Sequence, residues 1–193
     1  MHFLRYQEFY ESSSSKFRGK AFTIFDFMKW YSKEFGDGAF TYTTDWAGFN
    51  IPGSVIADML WQHGILDPND YDKTMEEIWE ECNKKSEDGR FYLIGVSDEG
   101  QVLEHEISHG YFYLYPEYKK EMTKLVKALP KEIKTKMKST LKSMGYTKEV
   151  YVDEMQAYLA TGLPDVFENE WVEERKPFVE YLAEFKKELV KKI

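Results

Sequence analysis

Val102-Leu103-Glu104-His105-Glu106-Ile107-Ser108-His109-Gly110-Tyr111 is the stretch on which the fold and chemistry of this chain turn. It holds two histidines four positions apart, with a glutamate directly after the first. No proline interrupts it. The turn formers Ser97-Asp98-Glu99-Gly100 precede it and Pro116 follows, which predicts a helix over 101–114. Residues four apart on a helix sit on one face, one turn above each other. Both imidazoles can then reach a single metal ion, and Glu106 projects beside that ion toward any water it holds. The 193 residues include only four histidines. At this composition, random placement would yield about 0.01 such H-E-x-x-H patterns per chain. Metal binding is therefore favoured over the plainer alternative, two solvent-facing helix histidines with no ion.

Working outward, Gly89-Arg90-Phe91-Tyr92-Leu93-Ile94-Gly95-Val96 is a short apolar run between turn signals and predicts a strand. Gly38 to Thr44, rich in strand formers, predicts another. Asn50-Ile51-Pro52-Gly53-Ser54 reads as a turn into a helix over 55–63. Thr23-Ile24-Phe25-Asp26 has the form of a capping box opening a helix that stops near Phe35. Asp67-Pro68 opens a helix through Cys82, with proline in its first turn. The first twenty residues show no clear periodicity, and Ser12 to Ser15 suggest a loop. Downstream, helices are expected at about 117–129, 131–144, 148–161 and 169–192, punctuated by Pro130, Gly145 and Gly162-Leu163-Pro164. In the last, Trp171, Phe178, Val179, Leu182, Phe185, Leu189 and Val190 form a stripe suited to core packing.

The fold class expected is α+β, predominantly helical, with a small N-terminal β-sheet packed on the H-E-x-x-H helix and a helical C-terminal half. One domain over 1–193 is expected, with an α/β part at about 1–114 and a helical part at about 115–193. Hydrophobic residues at 42% and aromatics at 17% supply a core. The net charge of -8 argues against nucleic acid as a partner, since phosphate binding needs clustered cations. No apolar run approaches the roughly 20 residues that span a bilayer, and the N-terminus has no apolar signal segment. No membrane partner and a cytoplasmic location are therefore expected. Cys82 is the single cysteine. It cannot form an internal disulfide, which suits a reducing compartment, and it reads as a small buried apolar residue rather than a nucleophile. Oligomeric state stays open.

The flanks of the motif agree with a longer pattern. Val102 lies three before His105, the residues within the motif are uncharged apart from Glu106, and hydrophobic Tyr111 lies two after His109. In these ten residues the chain resembles the zincin class of zinc metallopeptidases. The resemblance implies zinc (Zn2+) held by His105 and His109, Glu106 as general base, and a third protein ligand. No histidine follows His109, so the likeness points to the gluzincin branch, where a glutamate on a later helix completes the site. Val150-Tyr151-Val152-Asp153-Glu154-Met155-Gln156-Ala157-Tyr158 places an acidic pair in an otherwise apolar helix, and buried carboxylates are costly unless paired or metal-bound. Its E-x-x-A spacing resembles the third-ligand helix, which makes Glu154 the metal ligand. Asp153 would then orient a ligand histidine.

Tyr111, Tyr113 and Tyr158 are candidates to donate to an oxyanion, although with 14 tyrosines in the chain each also suits core or rim. Phe91 to Val96 resembles the strand beside the zincin cleft, whose edge pairs with an extended substrate, and equally suits an ordinary buried strand. The implied activity is zinc-dependent hydrolysis of a peptide or other amide bond in a peptide or protein substrate. The alternatives are a non-hydrolytic zinc-binding regulatory or interaction protein on the same scaffold, and a helical binding protein without metal.

Overall fold

A computed structural model describes residues 3–97, 100–162 and 171–191. They are predominantly helical, with one two-stranded antiparallel sheet. The chain divides into two compact units, Met1–Ser97 and Asp98–Ile193. The division falls upstream of the one expected near 114, and the H-E-x-x-H helix belongs with the helical unit.

In the first unit, α1 spans Leu4–Glu11, a helix the sequence did not reveal. Leu4, Arg5, Tyr6 and Phe9 are all buried, so its apolar face is real but short. Arg5 is fully buried, with Nη1 3.0 Å from Asp67 Oδ1 and Nε 3.4 Å from Asp72 Oδ1. The Tyr6 hydroxyl donates to the same Asp72 oxygen at 3.0 Å. Next, α2 (Ile24–Glu34) begins as expected, with Thr23 Oγ1 accepting from the Asp26 N–H at 3.1 Å.

The strand expected at 38–44 is absent. Tyr42–Asp45 is instead a helical turn, α3. Thr41 Oγ1 donates to Asp45 Oδ2 at 2.6 Å and Thr44 Oγ1 to the Thr41 carbonyl at 2.8 Å. Such local side-chain bonds offer the backbone an alternative to a sheet ladder. The turn expected at Asn50–Pro52 is strand: β1 (Gly48–Pro52) pairs antiparallel with β2 (Tyr92–Val96), from Gly48 opposite Val96 to Pro52 opposite Tyr92. Ile51 enters the core formed with Tyr6, Ile56, Met59 and Met75. A Cβ at Gly53 would stand 2.5 Å from the Phe91 ring, which would have to shift to admit one.

Helix α4 (Gly53–Ala57) runs on into a π-helical turn, Asp58–His63. Helix α5 (Asp70–Lys85) is capped by Asn69 with Asp72, so Pro68 stands before the helix and not in its first turn. Cys82 is half-buried, not fully buried. A second cluster packs Phe17, Phe22, Phe27, Tyr31 and Tyr42 together.

The second unit consists of α6 (Gln101–Leu114), α7 (Pro116–Ala128), α8 (Lys131–Ser143), α9 (Tyr151–Thr161) and α10 (Val172–Val190). Helix α6 packs on α9, and α7, α8 and α10 also pack against α9. Tyr118, Met122, Met137, Met155, Leu159 and Phe178 fill the centre. The stripe on α10 is narrower than its sequence suggests. Phe178, Leu182 and Phe185 are buried, whereas Val179 and Val190 are exposed. The expected start of this helix at 169–170 and the Leu163-Pro164 break lie outside the described residues. Among the described residues, no helix is long and apolar enough to cross a membrane.

Candidate metal centre

Helix α6 carries His105, Glu106 and His109, and α9 carries Asp153 and Glu154. Because α6 is laid directly on α9, their side chains meet across the contact. His105, His109 and Glu154 each offer one ligand atom, all within 4.8 Å of one another. The two Nε2 atoms are 3.1 Å apart. Glu154 Oε1 is 3.6 Å from His109 Nε2, and Oε2 is 3.8 Å from His105 Nε2. Zinc–nitrogen bonds of about 2.1 Å in tetrahedral geometry put ligand atoms about 3.4 Å apart. The three side chains thus stand close to a tetrahedral face.

Each residue is shielded from solvent. The His109 and Glu154 side chains are 4% and 6% exposed, and that of His105 is 15% exposed. Glu154 Oε2 is buried with no hydrogen-bond partner. A buried carboxylate oxygen in that condition is costly. A cation between it and the two imidazoles would satisfy it, so the donor set fits a divalent ion with mixed nitrogen and oxygen preference.

His109 Nδ1 lies 2.9 Å from Asp153 Oδ1. A carboxylate only accepts, so Nδ1 carries the proton and Nε2 faces the site. Asp153 is itself held by Gln156, whose Nε2 donates to the same oxygen at 3.0 Å. Gln156 Oε1 accepts from the Ser108 hydroxyl at 3.0 Å and the Tyr118 hydroxyl at 3.2 Å. Gln156 and Ser108 are wholly buried. Burial works to lower the His109 pKa, but the charges of Asp153, Glu154 and Glu106 outweigh it and raise it to about 10.

Glu106 is buried, and its charge acts on both His109 and Tyr158. Of the three tyrosines singled out, Tyr158 is the one at the site: its ring is 4.4 Å from that of His105. Its hydroxyl lies 3.3 Å from that of Tyr146, and burial raises its pKa, keeping it protonated. Tyr111 packs among Tyr115, Tyr118 and Phe185, and Tyr113 is exposed. His63 sits against Phe9 in the first unit.

Gln156 and Thr161 were not foreseen. Thr161 Oγ1 lies 3.4 Å from His105 Nδ1. The signal was spacing: Glu154, Tyr158 and Thr161 recur at i, i+4 and i+7, one helix face, and Gln156 lies three beyond Asp153. Comparison of the chain with protein-family models, with curated proteins and with solved structures gives no match.

Proposed function

We propose that the chain is a zinc-dependent hydrolase of the zincin kind, cleaving a peptide or other amide bond in a cytoplasmic peptide or protein. The observation that carries this is the convergence of His105 Nε2, His109 Nε2 and the Glu154 carboxylate, whose Oε2 has no hydrogen-bond partner, with the charge of Glu106 also acting on His109. His105, His109 and Glu154 would hold the ion, leaving a fourth position open. When bound, zinc supplies a Lewis acid that brings the pKa of water toward neutrality. Glu106 accepts the proton of the attacking water and later delivers it to the leaving amine nitrogen. Asp153 keeps the proton of His109 on Nδ1. The protonated Tyr158 hydroxyl offers a donor to the oxyanion. The zincin arrangement of the fold is part of the same proposal.

A second possibility is a zinc-stabilised protein without turnover. The shielding of Glu106, only 8% exposed, and the Tyr158 ring covering His105 favour it. Two measurements separate the cases. Zinc content of the full chain, purified without chelator, should reach one ion per chain, and metal-free protein that refuses added zinc would defeat both. Hydrolysis of a peptide library, lost in Glu106→Gln with zinc retained, identifies the enzyme. Zinc binding without any cleavage identifies the second.

A further inference from the structure

We infer that Thr161 is a positioning residue that fixes the tautomer of His105 and so presents its Nε2 lone pair to the cation; this rests on the metal site proposed above. A hydroxyl carries one proton. Thr161 Oγ1 lies 2.8 Å from the carbonyl oxygen of Ala157, which can only accept, so the hydroxyl proton is spent there. Toward His105 Nδ1, at 3.4 Å, the same oxygen can only accept in turn. The proton of neutral His105 therefore resides on Nδ1, and Nε2 faces His109 and Glu154 bare. Asp153 likewise holds a proton on Nδ1 of His109. One helix thus provides the carboxylate ligand and the partners that orient both imidazoles.

The position of Thr161 is itself held. It is the last residue of α9, and its carbonyl accepts from Gln101 Nε2, on the first residue of α6, at 3.3 Å. The Gln101 side chain lies so close over Gly162 that a Cβ there would meet it at 1.5 Å. The end of α9 is pinned to the start of α6, one turn before His105. The threonine rotamer that bonds the carbonyl four residues back is ordinary in helices.

The experiment is a zinc titration of the full chain and two variants. Thr161→Val keeps the shape and removes the oxygen, and Thr161→Ser keeps the oxygen. Changes to such orienting partners weaken metal binding by about 10–100-fold. That loss is expected for Thr161→Val, with Thr161→Ser binding as wild type does. Melting of the metal-free forms should be alike, which excludes a fold defect. Nitrogen-15 shifts of His105 in metal-free protein should report Nδ1 protonated in wild type and Thr161→Ser, and a mixture in Thr161→Val. Wild-type zinc affinity in Thr161→Val, or the same loss in Thr161→Ser, overturns the proposal. If wild type takes up no zinc, the metal site itself falls, and an unchanged nitrogen pattern in Thr161→Val overturns the role of Thr161 independently.

Discussion

His109 donates its Nδ1–H to Asp153 Oδ1 across the α6–α9 contact, at 2.9 Å and over a sequence separation of 44 residues. The neighbouring Glu154 meets the opposite nitrogen of the same ring. Adjacent residues thus take different duties toward one imidazole, as the rotation of about 100° between neighbours on a helix requires. Glu154→Ala should abolish measurable zinc binding, because two ligands remain. Asp153→Ala should weaken it by about 10–100-fold. Titrations of both variants against wild type test the ranking, and the reverse order would make Asp153 the ligand.

Glu106 has a different dependence. Glu106→Gln leaves the three ligand atoms in place, so zinc content should match wild type. Hydrolysis should fall by about 10²–10⁴, the usual worth of a general base. Steady-state rates on a substrate found by library screening provide the check. An unchanged rate would place the base elsewhere.

Gln156 acts on zinc only through Asp153 if its amide serves to hold that carboxylate. Gln156→Met should therefore weaken zinc binding in the wild-type background and add nothing in Asp153→Ala. The coupling between the two should lie within about 0.5–3 kcal/mol, as for residues of one buried network. Additive losses in a double-mutant cycle would show that Gln156 acts by another route.

In the first unit, burial raises the pKa of Glu8 despite bonds from Ser12 and from the Tyr42 hydroxyl, the latter at 2.9 Å. A carboxyl with a raised native pKa holds its proton better folded than unfolded. Its contribution is fully present below the ordinary glutamate range, near pH 4.3, and is lost as pH rises through the higher native value. Denaturation midpoints of wild type should fall over that window relative to Glu8→Gln, which has no proton to lose. Parallel curves for the two proteins would refute the assignment.

The second unit was the more legible half. The bounds of α6 coincide with the expected 101–114, and a helix translates spacing directly into shared faces, which is why His105 and His109 could be paired from sequence. Glu154 was reachable because an acidic pair inside an apolar helix needs a reason. Gln156 and Thr161 were marked only by their spacing on α9, since what each does at the site depends on partners on other helices. In the first unit, Thr41 bonded the Asp45 carboxylate and Thr44 the Thr41 carbonyl, turning a β-prone run into α3, while β1 formed over a Pro-ended run that looked like a turn. Helix α1 was hidden because its decisive interactions are charge pairs with distant residues.

Those pairs have a consequence for synthesis. The Arg5 guanidinium is bonded to the Asp67 carbonyl, 62 residues later, and ion-paired with the Asp67 and Asp72 carboxylates. A guanidinium does not leave water without its counter-charges, for the desolvation cost is several kcal/mol per ion. Until Asp72 has emerged from the ribosome, α1 has nowhere to bury that charge. Arrested nascent chains ending before residue 72 should leave α1 open to protease, and chains that expose residue 72 should protect it. The part of the first unit made earliest is then the part that must wait longest for its native seat.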